Sequence, residues 1–541
     1  MEALAPGYKV PSRTTFSRTI VPSLYSSCVG VLKEELAKAA GQSVHFTRDL
    51  WSAPSGQHAF LSLTPHWWQP KVPQDIVCSG ARGSATLAKQ GHRSFLLHAE
   101  VMDEQHTAHN ILQSLKRMVA QWLGEQEGTQ AEMGFVVTDG GANMLKAVRD
   151  GKYVGVRCSA HLLNLIVKDV LSEENTTGKL VTLLDSCRKI AAHFHRSVKD
   201  SHILRREQKK AGLNEHRLKI DVVTRWNSTL DMLERILEQQ KALHAMSNEH
   251  YIGISRPLAR EDWAMIAQLV AVLKPFKAVT EQLSQESASI SEVVPLMSYL
   301  VNNIDAFLSY KEVLPGGHVP EVMALLRRCK VELSRRLKEL TDSCPEVMLA
   351  TLCDPRIKGR MALRSNSLTF WRDKLVDRVR EKHHKISRLR CGEEDEEAEL
   401  EEHESVSLSS TRSNSATTPQ STIATSVLVQ AIDSLVGPSR LPTPKKSVQD
   451  MVNTYLAEPI LPPTANPLEF WDDKRDIWPA LSQVAQELLS CPPTTVQSER
   501  VFSVTGNILC PQRSQLAPPA NGKTCVPKSQ FAQAGIPSSQ L

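Results

Sequence analysis

Three acidic residues stand where their carboxylates could support metal-dependent chemistry. Asp49 and Asp139 follow apolar runs, in "FTRDLW" and "VVTDGGANM", and Glu499 borders an apolar face in "SERVFS". An acid at the end of a buried strand needs a cation or a hydrogen-bond donor nearby. Two carboxylates about 4 Å apart repel by about 4 kcal/mol at an effective dielectric constant of 20. A divalent cation between them would reverse the sign of that energy.

Carboxylate oxygens of this kind suit Mg²⁺ or Mn²⁺, and a pair of such ions can promote phosphoryl transfer. The plainer interpretation is that Asp49 and Asp139 cap turns and that Glu499 lies on a solvated helix face. Acids at strand ends are common in turns. Taken one at a time, the three motifs favour the plainer interpretation.

A Cys-x2-His spacing, formed by Cys158 and His161, could be half of a zinc site. A second half would have to come from Cys187 with His193 and His195, and that spacing does not match a closed structural site. We therefore expect no zinc in this chain. A packed cysteine and a positioning histidine at the start of a helix is the favoured alternative.

Arg225 and Trp226 precede a helical pattern in "DVVTRWNSTLDML". An exposed tryptophan can stack on a nucleobase, which is worth about 1–3 kcal/mol per base, while the neighbouring guanidinium binds phosphate. A tryptophan at such a position is more often part of the core. The motif alone leaves both interpretations open.

The elements that must position these residues change type along the chain. Residues 22–40 have helical spacing and stop at Gly41. Three strands are predicted in "VHFTRDLW", "AFLSLTPHWW" and "SFLLHAEVM", with a polar loop from Pro73 to Arg93. A helix in "HTAHNILQSLKRMVAQWL" and a buried strand, glycine turn and helix in "MGFVVTDGGANMLKAV" follow. This order predicts a mixed α/β sheet.

The second half of the sequence is predicted to be helical, apart from two polar segments. Residues 229–385 have helical spacing, and Pro275 is expected to kink or end its helix. An acidic run at 393–404 and the Ser/Thr tract after it cannot bury enough apolar surface to fold. Residues 389–443 are therefore predicted to be a disordered linker, and the Pro/Gly/Ser-rich residues 519–541 a disordered tail.

The composition narrows the class of protein without identifying it. The 541 residues include 64 Lys and Arg against 59 Asp and Glu, a net charge of +5 that permits nucleic-acid partners but does not establish them. Eleven scattered cysteines and an N-terminus without a signal-like apolar run predict a reducing compartment, cytosol or nucleus. No apolar run approaches the roughly 18 residues of a membrane span, so no membrane association is expected.

Eight motifs, taken in order, resemble those of the hAT superfamily of DNA transposases. They are "YKVPSR", "FTRDLW", "VVTDGGANM", "RCSAHLLNLIVKD", "DVVTRWNSTLDMLERILEQ", "LCDPRIK", "NPLEFW" and "SERVFSVTGNI". More narrowly, they resemble the domesticated zinc finger BED domain-containing proteins, from about residue 7 to 518. The resemblance implies an RNase H-like mixed α/β domain interrupted by a large all-α insertion and followed by a C-terminal hAT dimerisation segment.

The resemblance also implies a division of the chain. Residues 1–43 would form a helical connector, 44–228 the first part of the RNase H-like domain and 229–388 the all-α insertion. After the linker at 389–443, residues 444–518 would return to the RNase H-like core and form the dimerisation segment. Residues 519–541 would be the tail, which replaces the family's final helix and should weaken dimerisation.

By the same resemblance, Asp49, Asp139 and Glu499 match the family's three catalytic acids and would hold Mg²⁺ or Mn²⁺ in a functional site. His161 would lie near the scissile phosphate.

Four further residues match positions that contact DNA or a second subunit. Arg225 and Trp226 would hold a flipped or hairpin base. Val501 and Phe502 would anchor their helix to the sheet and to the dimer partner, either a second copy of this chain or a related protein.

Two departures from the family pattern argue against catalysis. The sequence starts without a BED zinc finger, so sequence-specific DNA recognition is expected to be absent. Gly140, Gly141 and Ala142 stand where relatives usually have Asn, Ala and Ser. We therefore expect a domesticated, non-transposing nuclear protein that self-associates, binds DNA or chromatin and regulates transcription. An active metal-dependent transposase or nuclease, and a truncated isoform that dimerises with a full-length relative, are the alternatives.

Overall fold

The computed structural model describes eleven segments of the chain. They are residues 12–52, 59–70, 91–102, 104–124, 132–172, 178–222, 225–249, 257–310, 314–358, 366–391 and 447–500. The predicted tail, nearly all of the predicted linker, and Val501 and Phe502 lie outside the described residues.

Seven strands within the described residues form one sheet. They are β1 (Ser43–Arg48), β2 (Leu50–Ser52), β3 (Ala59–Gln69), β4 (Gly91–Ser94), β5 (His98–Val101), β6 (Glu132–Thr138) and β7 (Gly155–Arg157). The order is β2-β3-β1-β6-β7, and β4 and β5 both pair with β3. Strand β1 runs antiparallel to β3 and parallel to β6. The predicted mixed α/β sheet is confirmed, but β4 begins at Gly91, inside the predicted loop from Pro73 to Arg93, and the third predicted strand is shortened to β5.

The two faces of the sheet pack against different parts of the protein. Val44 and Phe46 of β1 belong to a core shared with helices α1 (Val21–Ala37) and α2 (Ala108–Leu123). Phe135 and Val137 of β6 belong to the larger core of the helical part. Because side chains alternate along a strand, His45 and Thr47 of β1 lie on the face opposite Val44 and Phe46.

Helices make up most of the remaining described residues. A turn of α-helix at Arg13–Thr15 and a π-helical turn at Phe16–Ile20 lead into α1. After α2 come α3 (Ala142–Asp150), α4 (Ser159–Leu171), α5 (Gly178–Arg196), α6 (Val198–Lys210), α7 (Trp226–Glu238), α8 (Gln240–Glu249), α9 (Arg260–Leu283), a 3₁₀ turn at Ile290–Glu292, α10 (Val293–Leu308), α11 (Pro320–Ser343), α12 (Glu346–Cys353) and α13 (Asn366–Cys391). Within the described residues, every regular element from Ser159 onward is helical.

Helix α9 contains Pro275 and is also long and apolar. It continues through Pro275, so of the two predicted outcomes, a kink or an end, the end is excluded. Packing on several sides outweighs one lost backbone hydrogen bond. Within the described ranges it alone is long and apolar enough to cross a membrane, and 61% of its apolar window is buried inside the protein. A core helix of a folded protein meets the same criteria.

The chain returns to this core through α14 (Val448–Ala457), α15 (Pro467–Asp473) and α16 (Pro479–Leu489). The Trp471 indole N–H donates to the carbonyl of Cys353 at 2.8 Å. The buried Lys358 ammonium donates to the carbonyls of Tyr455 and Glu458, both at 2.8 Å. The motifs "LCDPRIK" and "NPLEFW" therefore join the returning helices to the helical part.

Candidate functional site

Asp49 and Asp139 lie side by side at the same edge of the sheet. Strands β1 and β6 are parallel, and Arg48 pairs with Thr138 in the last step of the register. The two aspartates are the next residue of each strand. This one parallel pairing therefore brings together two acids that are far apart in the sequence.

Each aspartate also stabilises the turn that follows it. One carboxylate oxygen of Asp49 accepts the N–H of Leu50 at 2.9 Å, and one of Asp139 accepts the N–H of Gly141 at 3.0 Å. Gly140 has φ +92°, a conformation that other residues rarely adopt. The interpretation that Asp49 and Asp139 cap turns is therefore confirmed. Within the described residues the second oxygen of each carboxylate accepts no hydrogen bond and is available to a ligand.

Glu499 reaches this edge because the segment after α16 lies across the sheet. A helical turn at 496–500 carries it. The hydroxyls of Ser498 and Thr47 are 3.2 Å apart and both residues are fully buried. The N–H of Thr495 donates to the sulfur of Cys158 at 3.4 Å. These contacts join the end of β1, the start of α4 and the residues next to Glu499.

The charges of the three acids act on one another. Burial, followed by repulsion from Glu499 and then from Asp139, raises the pKa of Asp49 to about 7. Burial lowers the pKa of His161, and Asp139 and Glu499 oppose that shift. All four predicted site residues therefore share one electrostatic neighbourhood, although they come from elements that are distant in sequence.

The carboxylates of Asp49, Asp139 and Glu499 are suitable ligands for a hard divalent cation, but they are too far apart to bind one together. Carboxylate oxygens are the ligands that Mg²⁺ and Mn²⁺ prefer. The pKa of Asp49 is raised mainly by burial and then by the charges of Glu499 and Asp139, and a bound cation would offset that repulsion. Across the described segments, however, no group of three His, Cys, Asp or Glu side chains is close enough to hold a metal ion. Binding by all three acids would require them to move together.

The cysteine of the Cys-x2-His motif has structural contacts. The N–H of Cys158 donates to the carbonyl of Thr138 at 2.7 Å, which ties the start of α4 to the end of β6. Cys187 is buried in the helical core, and His193 bonds to Asp200 at 2.7 Å. These positions match the alternative of a packed cysteine at a helix start.

Trp226 is not exposed, which corrects the expectation that its ring stacks on a base. Its side chain is 4% exposed and packs edge-to-face against Phe276, with ring centroids 6.4 Å apart. It is the first residue of the amphipathic helix α7, and its apolar ring is worth more inside the core than in water. Arg225, by contrast, is exposed and could meet a phosphate.

A group of three histidines, of which His45 and His66 are fully buried and His92 is half-buried, was not predicted from the sequence. His45, His66 and His92 come from β1, β3 and β4 and all contact the returning chain or its partners. The available signal was the alternation in "VHFTR", which places polar residues at every second position of a strand with apolar neighbours.

Two family models match parts of this chain. Residues 156–272 match the ZBED1 RNase-like helical domain, a range that begins in β7 just before α4. Residues 451–525 match the hAT family C-terminal dimerisation region. The second range includes most of α14, all of α15 and α16, and Glu499, and its residues after 500 lie outside the described part.

Whole-chain comparison gives the same superfamily. The chain is 27% identical to human zinc finger BED domain-containing protein 4 over 93% of its own length and 39% of that protein's. It is 27% identical to mouse zinc finger BED domain-containing protein 6 over 94% and 50% of the respective lengths. A putative AC transposase of Zea mays is 23% identical over 95% and 60%.

The chain is therefore similar to hAT transposases and to zinc finger BED domain-containing proteins over nearly all of its length. It spans between about two fifths and three fifths of the length of these hAT relatives. The predicted resemblance and the predicted fold class are both confirmed, as is the presence of a region similar to the hAT dimerisation region.

Proposed function

We propose that this chain is a domesticated hAT transposase-like nuclear protein that self-associates and binds DNA or chromatin to regulate transcription. The observation that carries the proposal is a concentration of positive charge in the helical part. Residues 196–225 contain nine Lys and Arg against four Asp and Glu. The excess of five equals the formal net charge of the whole chain.

In this basic surface, defined as the exposed Lys and Arg residues of 196–225, Arg206 and Lys210 pair with Glu207 and Lys219 pairs with Asp231. Lys209 and Arg217 form no ion pair among the described residues. Three of the four acids nearby are already paired: Asp200 with His193, Glu207 with Lys210, and Asp221 with Arg188. Clustered exposed cations on one helix and its following loop are the electrostatic footprint of phosphate-backbone binding. Such contacts supply affinity without sequence specificity.

Self-association is supported by the match of residues 451–525 to the dimerisation region. A homodimer or a heterodimer with a related hAT protein would present two basic surfaces and raise the apparent affinity for DNA. Sedimentation of the chain, alone and mixed with a relative, tests this. A monomer in both conditions would contradict the proposed self-association.

DNA binding is tested by the salt dependence of affinity for a duplex of arbitrary sequence. Each lost phosphate contact should reduce the slope of log K against log salt by about 0.9. The double variant Lys209→Glu, Arg217→Glu should therefore lose about two units of slope and most of its affinity. The matched control Lys116→Glu, Lys146→Glu reverses two exposed lysines elsewhere and should bind like the wild type. Equal losses in both variants would contradict a specific basic surface.

The nuclear and regulatory parts of the proposal need cellular measurements. We expect the protein in the chromatin fraction, and a tethered reporter should change its expression. The Lys209→Glu, Arg217→Glu variant should leave chromatin while keeping its cellular abundance. A wholly cytosolic protein without effect on the reporter would refute this part.

A second candidate function is metal-dependent DNA cleavage or transfer, favoured by the shared electrostatics of Asp49, Asp139 and Glu499. In that case these acids would hold Mg²⁺ or Mn²⁺, which would supply activation of a nucleophilic water or hydroxyl. Mn²⁺-dependent cleavage of terminal-repeat DNA that Asp139→Asn abolishes would support it. Equal cleavage by both proteins would remove it.

A further inference from the structure

The segment that carries Glu499 is attached to the sheet through polar side chains that are buried or half-buried. His45 of β1 is 3.1 Å from the Ser490 hydroxyl. His92 of β4 is 3.1 Å from the Ser490 carbonyl. Thr47 of β1 meets Ser498 at 3.2 Å. Strands β1 and β4 thus bind the segment 490–500 near both of its ends.

The protonation state of His45 follows from its partners. The N–H of Phe135 donates to Nδ1 at 3.0 Å, so this nitrogen carries no proton. Nε2 therefore carries the proton and donates to the Ser490 hydroxyl, which in turn donates to the carbonyl of Gln486 at 2.7 Å. A second proton on His45 would place two N–H groups against each other. The close approach depends on Gly134, where a Cβ would lie 2.5 Å from Nδ1.

The other two rings also disfavour a positive charge, His66 more strongly than His92, because the Ser490 carbonyl and Glu286 oppose the effect of burial on the pKa of His92. His66 Nε2 is 3.0 Å from the Thr47 hydroxyl, and His66 Nδ1 is buried with no hydrogen-bond partner among the described residues. The rings of His66 and His92 are 5.8 Å apart. A second proton on His66 would have no hydrogen-bond acceptor, and positive charges on His66 and His92 would repel each other.

The surrounding charged groups do not compensate. Glu286 is the carboxylate that acts on His92, and it is paired with Arg500 at 3.4 Å. Glu487 faces His45 with its peptide carbonyl, while its carboxylate pairs with Arg378 at 2.9 Å and Lys382 at 3.6 Å.

The histidines act on one another as like charges, and burial lowers the pKa of all three. Within the described part of the chain, no carboxylate hydrogen-bonds to any of the rings.

We propose that His45, His66 and His92, with Thr47, Ser490 and Ser498, form a proton-sensitive latch that docks residues 490–500 and positions Glu499 beside the two aspartates. The docked segment requires neutral rings. Once it leaves, the rings reach water and regain an ordinary pKa near about 6.5. Docking is therefore complete above that pH and weakens below it. Whether the latch forms does not depend on the proposed DNA function. Only the consequence of the latch for the three acids rests on that function.

Proton linkage sets the size of the effect. Each histidine that is neutral when docked and protonated when free increases the open population up to about tenfold per pH unit below about 6.5. Three histidines acting together would increase it by at most about a thousandfold between pH 7.5 and 5.5. Hydrogen–deuterium exchange of the amides at 490–500, corrected for intrinsic exchange at each pH, measures this population. Amides of α11 provide the internal control for global unfolding.

Two isosteric variants separate the latch from simple packing. Thr47→Val removes the hydroxyl that joins His66 to Ser498 and should increase exchange at 490–500 at least tenfold at pH 7.5. Thr64→Val is the matched control, because Thr64 pairs with Thr47 across β1 and β3, is buried, and its hydroxyl has no partner among the described residues. It should leave that exchange unchanged. His92→Gln keeps a donor for the Ser490 carbonyl and should reduce the pH dependence by about one proton.

Three results would overturn the proposal. Equal exchange at 490–500 in Thr47→Val and Thr64→Val would show that the hydroxyl bond does not hold the segment. Unchanged exchange between pH 7.5 and 5.5 would show that docking does not depend on protonation of the histidines. An equal increase in α11 would assign the effect to global unfolding. None of these measurements requires DNA, so a failure of the proposed function would not imitate them.

Discussion

Replacing Asp49 by asparagine should stabilise the protein above about pH 4, with the full gain reached above about pH 7. The folded protein raises the pKa of Asp49 from 3.8 to about 7. The unfolded chain therefore loses this proton first, and ionisation destabilises the folded state as the pH rises from about 4 to 7. The shift of about three units at about 1.36 kcal/mol per unit gives a penalty of about 4 kcal/mol at pH 8. The asparagine amide cannot ionise, so the variant escapes this penalty.

The assay is thermal melting of wild type and Asp49→Asn at pH 4, 6 and 8. One kcal/mol corresponds to about 2–4 °C for a cooperative unit of 150–250 residues, so the variant should melt about 8–16 °C higher at pH 8 and equally at pH 4. Asp150→Asn, which changes an exposed carboxylate, is the control and should shift stability by less than about 0.5 kcal/mol.

Added Mn²⁺ extends the same experiment to the metal site. A cation bound by ionised carboxylates should raise the melting temperature of the wild type at pH 8, because it binds only the folded state. Asp49→Asn should lose most of that gain. The charge argument is refuted if the variant is less stable at pH 8 or if its advantage does not change with pH.

Three further predictions concern side chains whose burial the structure defines. Arg356→Met should destabilise the protein by about 3–5 kcal/mol because it leaves the buried Asp354 carboxylate without its ion-pair partner. Arg48→Met should be neutral or stabilising because that buried guanidinium has no hydrogen-bond partner among the described residues. Denaturant unfolding of both variants checks this, and equal losses of stability would contradict it. Trp226→Ala should cost about 3–5 kcal/mol of stability and reduce DNA binding only in proportion to the folded fraction; a selective loss of binding would restore the base-stacking role. Gly134→Ala should cost about 1–3 kcal/mol, because the new methyl group would displace the ring of His45, and amide exchange at 490–500 should rise with it.

The site could be predicted only in part, because the acids follow a local sequence pattern and the residues that support them do not. Asp49 and Asp139 stand after apolar runs, so their place at strand ends was visible from that pattern. The order of eight motifs supplied the fold class, and both were confirmed. The local sequence around Trp226 is compatible with either an exposed or a buried ring. Only its packing against Phe276 in the folded protein showed that the ring is buried.

Hydrophobic periodicity is a local property of the sequence. It was enough to predict the helices, the strands and the polar positions that interrupt them. The contacts that assemble the site are not local. Thr47 meets Ser498 across 451 positions and His45 meets Ser490 across 445. Those partners are chosen by strand register and by the need to satisfy buried polar groups, and both arise only when distant segments pack together. Tertiary structure therefore decided where Glu499 lies and which buried polar groups hold its segment against the sheet.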